Sequence, residues 1–91
     1  MYGLKEKELK ELKQILSDKH IRKAILFGSR AKGNYSVGSD VDLAVIGNEK
    51  ELSDALNEES HLVYYFDIVN LEKIHNKKLI KHIERVGKVI L

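Results

Sequence analysis

Three stretches of the chain carry apolar residues at helical spacing. Between residues 4 and 19, apolar positions recur three or four residues apart, and Lys and Glu fill most of the positions between them. A narrower stripe crosses residues 49–59, and a third crosses residues 79–86 and stops at Gly87. Because residues three and four apart share one side of a helix, these patterns predict amphipathic helices that cover a core.

Continuous apolar runs predict the strands that lie between these helices. The runs cover residues 24–27, 41–46 and 62–69, and the last of them is rich in β-branched and aromatic residues. Short apolar runs of this kind are typical of buried strands. Residues 28–39 have Gly and Ser at both ends, which predicts a loop with one helical turn that starts at Ser29.

The composition narrows the class of protein. The chain has 91 residues, 43% of them hydrophobic, so we expect residues 1–91 to form a single domain. It contains no cysteine, which excludes disulfides, thiolate metal sites and a cysteine nucleophile. No apolar run has the character of a signal-peptide core or the length of a membrane span. We therefore expect a soluble, cytoplasmic protein without membrane contact.

The charge is small overall but uneven along the chain. The formal net charge is +2, and residues 71–91 hold six basic residues against Glu72 and Glu84. This segment predicts either a solvated helix face or a surface that meets an acidic partner or a nucleic acid. Its last four residues, 88–91, predict a short edge strand or an extension into a partner.

Two aspartates, Asp40 and Asp42, stand one residue apart at the start of the second apolar run. Side chains at positions i and i+2 of a strand project to the same face. Two carboxylates this close repel each other, and burial increases the cost. A divalent cation with oxygen ligands, Mg²⁺ above all, offsets that repulsion. Taken alone, an Asp-x-Asp pattern also occurs by chance.

A third carboxylate, Asp67, interrupts the most apolar predicted strand. If that strand lies beside residues 41–46, Asp67 faces the same cavity as the first two aspartates. Three carboxylates can hold two metal ions roughly 3.5–4 Å apart, which stabilise the attacking and leaving oxygens of a phosphoryl displacement. The alternative is a strand-end residue that caps a turn or pairs with a lysine.

Gly28 and Ser29 follow the first predicted strand directly. Glycine permits close backbone approach, and main-chain amides at the start of a helical turn suit a nucleotide phosphate. The alternative is an ordinary strand-to-helix turn in which Ser29 is the N-cap. Arg30 and Lys32 either neutralise phosphate charge or are simply solvated. The conjunction of all these features is more specific than any one of them.

That conjunction resembles the nucleotidyltransferase superfamily of DNA polymerase β, whose signature is Gly-Ser, ten residues and Asp-x-Asp. Gly28 and Ser29 match its first part, and Asp40 and Asp42 match its second part with ten residues between. The order of predicted elements agrees over nearly the whole chain. The flanking residues are most similar to the minimal nucleotidyltransferases (MNT proteins) of bacteria and archaea.

The resemblance implies an α/β (α+β) fold, in which a small mixed β-sheet has helices packed on it. It also implies transfer of a nucleoside monophosphate, AMP from ATP, with release of pyrophosphate. The site residues that it implies are Asp40, Asp42 and Asp67 as catalytic ligands of two Mg²⁺ ions, with Asp67 activating the incoming hydroxyl, and Gly28, Ser29, Arg30 and Ser39 around the nucleotide.

The resemblance further implies a partner protein. Larger relatives carry additional domains for the acceptor, and we expect a chain of 91 residues to receive its acceptor from another chain. Minimal nucleotidyltransferases are commonly paired with a small helical HEPN protein, as antitoxin to its ribonuclease toxin, and can neutralise it by adding AMP to a toxin tyrosine. This chain is then the antitoxin, in a homo- or hetero-oligomer, with its apolar and basic C-terminal segment as the docking surface.

Two other functions are compatible with the sequence. One is a non-catalytic binding module that silences its partner by occlusion, with the nucleotide site reduced to a structural or sensing role. The other is a transferase that modifies nucleic acid, in which the basic C-terminal segment grips RNA. Direct contact with nucleic acid is the less favoured of the two, and a steep loss of binding with added salt would support it.

Overall fold

The computed structural model describes all 91 residues, which form a four-stranded mixed sheet with helices on both faces. The elements are α1 (Glu6–Asp18), β1 (Lys23–Phe27), α2 (Gly28–Lys32), β2 (Val41–Ile46), α3 (Glu49–Asp54, continued by a π-helical turn over Ala55–Glu59), β3 (Phe66–Asn70), α4 (Lys77–Val86) and β4 (Lys88–Val89). The strand order is β3-β2-β1-β4. β1 is antiparallel to β2 and β4, whereas β2 and β3 are parallel.

One face of the sheet carries the larger part of the core. Leu26, Leu43 and Phe66 project from three neighbouring strands and pack in one cluster with Leu12 and Leu16 of α1. Each of these side chains is at most 1% exposed. Full burial of a side chain of this size stabilises a fold by about 1.5–3 kcal/mol. This face therefore anchors the strands whose ends carry the aspartates.

The opposite face is covered in part by α4. Phe27, Ala44 and Ile83 form a smaller buried cluster there. In the β1–β2 ladder Phe27 is paired directly with Asp42, and paired residues project to the same face of a sheet. Asp42 therefore emerges beside this cluster, on the face that α4 covers.

The predicted strand over residues 62–69 begins later than predicted, at Phe66. The Tyr64 hydroxyl instead donates a 2.8 Å hydrogen bond to Glu8 of α1, and the Tyr65 side chain is 61% exposed. The prediction was wrong for the first four residues: Tyr64 is bonded to α1, and Val63 and Tyr65 are exposed to solvent instead of packing in the sheet.

The other predicted elements are confirmed with small shifts of their ends. The C-terminal helix starts two residues earlier than predicted, at Lys77, because the Asn76 side chain accepts hydrogen bonds from the N–H groups of Lys78 and Leu79. The last turn of the helix predicted over residues 49–59 is π-helical. β4 is an edge strand, one of the two alternatives predicted for residues 88–91, and covers Lys88 and Val89. None of the helices has the length and apolar character needed to cross a membrane.

Candidate active site

The three predicted aspartates lie at the same end of the sheet. Asp42 is the second residue of β2, and Asp67 lies directly beside it in the register of the parallel strand β3. Asp40 lies one residue before β2, two positions from Asp42 along the chain. The condition stated for Asp67, that its strand lies beside residues 41–46, is met. Asp42 is half-buried, whereas Asp40 and Asp67 are exposed.

The Asp42 carboxyl group lies in a strongly unfavourable environment for a negative charge. Burial, followed by the charges of Asp67 and Asp40, raises the pKa of Asp42 from its ordinary value of 3.8 to about 6. No hydrogen bond to the Asp42 side chain and no salt bridge compensates for this. Because no hydrogen bond or salt bridge offsets the negative charge at Asp42, this end of the sheet attracts cations.

The donor chemistry of the site fits a divalent cation. Aspartate oxygens are hard ligands of the kind that Mg²⁺ prefers, and the repulsion at Asp42 is of the kind that a bound cation relieves. The ligands are not drawn together in advance, since no group of three or more acidic or histidine side chains is close enough to hold a metal ion. Binding would therefore require side-chain rotation at Asp40 or Asp67, which exposed side chains make readily. The assignment of Mg²⁺ stays a prediction.

Gly28 brings its backbone against Asp42. It follows β1 immediately and opens α2 with φ at +75°, a conformation that favours glycine. A Cβ atom at this position would overlap the Asp42 Oδ2 atom. Glycine is thus required here for two separate reasons, the backbone conformation and the space beside the carboxylate.

Ser29 lies in the first turn of α2, where main-chain N–H groups lack partners within the helix. The helical turn predicted near Ser29 is confirmed, and it starts one residue earlier, at Gly28. The helix ends at Gly33, whose φ is +92°. The first turn of α2 therefore lies next to Asp42, and main-chain amides at the start of a helical turn suit a phosphate.

Arg30 makes contacts inside the protein. Its side chain is 2% exposed. Its Nε and Nη2 atoms donate hydrogen bonds of 3.1 and 2.9 Å to the Ser39 carbonyl, and Nη1 donates one of 3.0 Å to the Tyr2 carbonyl. The guanidinium also lies over the Tyr35 and Tyr64 rings, at 5.2 and 4.8 Å from their centroids. Its predicted contact with the nucleotide stays a prediction.

Ser39 has a hydroxyl that is engaged within its own loop. The Ser39 Oγ atom accepts a 2.9 Å hydrogen bond from the Ser36 main-chain N–H, and the two hydroxyl oxygens are 3.3 Å apart. The Ser39 N–H in turn donates to the Ser36 carbonyl at 3.1 Å. These bonds form a turn just before Asp40. The predicted contact of Ser39 with the nucleotide also stays a prediction.

Two residues near the site were not predicted from the sequence. His82 of α4 makes an edge-to-face contact with Phe27, with ring centroids 6.1 Å apart, so α4 walls the face on which Asp42 emerges. Asn57 pairs with the main chain of Phe66, donating at 2.9 Å and accepting at 2.8 Å, and so fixes the start of β3 just before Asp67. A lone histidine or asparagine on an amphipathic helix gives no sequence signal for either role.

Comparison with known proteins places this geometry in a family. Residues 10–91 match the family model described as "Polymerase beta, Nucleotidyltransferase". A protein of Methanocaldococcus jannaschii, provisionally named a protein adenylyltransferase, is 44% identical over 46 residues. That match covers 47% of this chain and 46% of the relative, so it spans about half the length of each.

Two solved structures share the fold. A crystal structure of a toxin–antitoxin with AMP-PNP has a TM-score of 0.74 and 25% identity, covering 91% of this chain and 72% of that chain. A mutant of the toxin–antitoxin MntA–HpeT has a TM-score of 0.73 and 23% identity, with the same coverage of both chains. The predicted fold class, a small mixed sheet with helices packed on it, is confirmed.

Proposed function

Because the chain belongs to the polymerase beta nucleotidyltransferase family, we propose that it transfers AMP from ATP to a hydroxyl group of a partner protein. The observation that carries this proposal is the pairing of Asp42 with Asp67 on adjacent parallel strands, with Gly28 packed against the Asp42 carboxylate. This arrangement sets an amide-rich turn beside a cluster of acids, which suits the triphosphate of a nucleotide.

The proposed reaction is a single displacement at phosphorus. The acceptor hydroxyl oxygen forms a bond to the α-phosphorus of ATP, the bond from that phosphorus to the bridging oxygen breaks, and pyrophosphate leaves. The hydroxyl proton passes to the Asp67 carboxylate, which is exposed at the open end of the sheet and therefore accessible to an acceptor. The main-chain amides at Gly28 and Ser29 orient the phosphates by donating hydrogen bonds to their oxygens.

Asp40, Asp42 and Asp67 are the residues that would hold Mg²⁺, in a pair of ions. When bound, Mg²⁺ neutralises the carboxylates and stabilises the charge that develops on the phosphate oxygens. The half-buried Asp42 anchors this set, because its strand is held on both sides in the sheet. The exposed Asp40 and Asp67 complete the set from either side of it.

The proposed partner is the toxin of a toxin–antitoxin pair, a small helical protein of the HEPN type. Support comes from the two solved structures with this fold, both of which are toxin–antitoxin structures. Support also comes from the relative that is provisionally named a protein adenylyltransferase. The proposed docking surface is the C-terminal segment, in which Lys88 and Val89 of the edge strand are exposed.

Equilibrium binding of ATP to the isolated chain tests the nucleotide site without the partner. We expect binding that requires Mg²⁺ or Mn²⁺ and that is lost in Asp42→Asn, because the half-buried carboxylate is the anchor of the metal. Asp54→Asn is the matched control, since Asp54 is an exposed aspartate of α3, a helix that packs on the opposite face of the sheet. A wild-type chain that binds no ATP at any concentration of either metal contradicts the proposal.

The second candidate function is neutralisation of the partner by occlusion alone. The observation that favours it is that the carboxylates are not gathered into a ready metal site. Under this hypothesis Asp42→Asn binds and silences the partner as well as the wild type does. Under the proposed function the same variant binds the partner but leaves it unmodified.

A further inference from the structure

Arg30 carries a buried charge that forms no salt bridge. Its side chain is 2% exposed, and no carboxylate lies within salt-bridge distance of it. Buried charges are costly unless hydrogen bonds replace the lost water. Here main-chain carbonyl groups and aromatic rings replace it. A fold that keeps a buried guanidinium in this way uses its rigid, planar set of donors to fix the backbone.

The backbone that Arg30 fixes leads directly to Asp40. Two of its hydrogen bonds converge on the Ser39 carbonyl, at 3.1 Å from Nε and 2.9 Å from Nη2. Ser39 is bonded to Asp40, and residues 34–38 before it are exposed. The bonds between Ser36 and Ser39 shape the loop internally but do not tie it to the rest of the fold. The Asn34 N–H ties the start of the loop to the Ser29 carbonyl, and Arg30 ties its end, at Ser39.

The same side chain belongs to the helix that carries the phosphate turn. Arg30 follows Gly28 and Ser29 in α2, so the loop before Asp40 is fixed relative to the turn that packs against Asp42. The Tyr35 and Tyr64 rings contact the guanidinium and restrict its movement. Arg30 therefore connects the loop before Asp40 to the turn at Gly28 and Ser29 through contacts inside the protein.

We propose that Arg30 is a positioning residue that acts through the Ser39 carbonyl to fix Asp40 beside Asp42, and so sets the affinity of the site for a divalent cation. This inference rests on the proposed function, in which Asp40 and Asp42 hold that cation. It assigns Arg30 a role that requires no contact with the nucleotide.

This inference is tested by the binding of Mn²⁺ to the full chain without nucleotide. The electron paramagnetic resonance signal of free Mn²⁺ measures how much of the ion is bound. We expect Arg30→Ala to weaken binding about tenfold or more, the usual effect of losing a group that orients a metal ligand. Lys50→Ala is the control, because it removes an exposed positive charge from α3, outside the residues proposed for the site, and should leave binding unchanged. Circular dichroism establishes that each variant is folded.

A double-mutant cycle separates positioning from a general loss of structure. If Arg30 acts through Asp40, Arg30→Ala has no further effect on Mn²⁺ binding in a chain that already carries Asp40→Asn. Arg30 also lines an open cavity of about 500 Å³, so millimolar guanidinium can enter the space left in Arg30→Ala. We expect guanidinium to restore binding in that variant but not in the double variant.

The outcomes distinguish this inference from the proposed function. Wild-type binding of Mn²⁺ with equal binding by Arg30→Ala, or an undiminished effect of Arg30→Ala in the Asp40→Asn chain, overturns the role of Arg30 alone. A wild-type chain that binds no Mn²⁺ overturns both. If Arg30→Ala does not fold, Arg30→Lys serves instead, because lysine keeps the charge but cannot direct two donors at one carbonyl, and equal binding then overturns the inference.

Discussion

At the scale of single residues, the site depends on a contact between a glycine and a carboxylate. Gly28 has a positive φ and no room for a Cβ atom beside Asp42. We expect Gly28→Ala to lose about 1–2 kcal/mol of stability from the backbone conformation and, in addition, to displace the Asp42 carboxylate. ATP binding and thermal unfolding measure the two effects separately.

Gly33→Ala is the matched control for that variant. Gly33 also has a positive φ, at +92°, but a Cβ atom there would meet nothing within 4 Å. Its substitution should destabilise the fold by a similar amount and leave ATP binding intact. Equal loss of ATP binding in both variants would show that the backbone conformation, and not the contact with Asp42, matters at Gly28.

Asp42 illustrates a conflict between stability and function within one side chain. Burial and two neighbouring carboxylates disfavour its charge, so Asp42→Asn should stabilise the metal-free chain by about 1 kcal/mol after allowance for solvent screening. Thermal unfolding in EDTA measures this change. Asp54→Asn is the control, and its thermal stability should equal that of the wild type. A less stable Asp42→Asn variant would contradict the description of the site as electrostatically strained.

The residues of the site differ in how far the sequence could predict them. The shared face of Asp40 and Asp42 was predictable from their two-residue spacing, whereas the position of Asp67 beside Asp42 depended on which strands are neighbours in the sheet. The roles of these aspartates and of Gly28 stay predictions. The internal contacts of Arg30 were not predictable, since its partners Tyr2 and Tyr64 are distant in sequence and come together only in the fold. An arginine beside glycine and serine gives the same local pattern whether it is buried or solvated.

At the scale of elements, the start of β3 decides where Asp67 lies. The Asn57 side chain satisfies both main-chain polar groups of the buried Phe66. We expect Asn57→Ala to destabilise the fold by about 1–3 kcal/mol, because those groups lose their partners. Urea denaturation measures the loss, and Asn34→Ala, at an exposed loop position, is the control. An unchanged Asn57→Ala variant would mean that water replaces both bonds.

The contacts between Glu49 of α3 and the end of β3 predict that the fold loses stability in acid. The Asn70 side chain and Lys73 donate hydrogen bonds to Glu49, which lowers the pKa of Glu49 from 4.5 to about 2. A lowered pKa in the folded state gives stability that is present above about pH 4.5 and is lost as the pH falls toward 2.

Glu49→Gln should therefore be less stable than the wild type at pH 7, and the difference should disappear at about pH 2. Chemical denaturation across this pH range measures it. Glu58→Gln is the control, since Glu58 is exposed and makes no salt bridge. A difference that stays constant from pH 7 to pH 2 would contradict the role of the Glu49 charge.

The elements themselves were largely predictable, with one instructive failure. Apolar runs identified β1, β2 and the later part of β3, since a strand buried in a small sheet needs such a run. The run that precedes Phe66 has the same composition, yet Tyr64 is bonded to Glu8, 56 residues earlier in the chain. Local pattern cannot distinguish a ladder residue from one that anchors a connecting segment.

At the scale of the whole molecule, the two faces of the sheet have different roles. One face holds the larger core with α1 and α3, and the other presents the paired aspartates beside α4. The site is open at the end of the sheet, where Asp40 and Asp67 are exposed. In the proposed reaction the acceptor hydroxyl belongs to a partner protein, which can reach the site from this open end.

Transfer of label from α-labelled ATP to a co-purified partner tests that claim most directly. The complex with the wild-type chain should label the partner in Mg²⁺ and release one pyrophosphate for each AMP attached. The complex with Asp42→Asn should contain the partner in equal amount and label none of it. A wild-type complex that transfers nothing across a titration of metal and nucleotide, or equal labelling by Asp42→Asn, contradicts the proposed transfer of AMP to the partner.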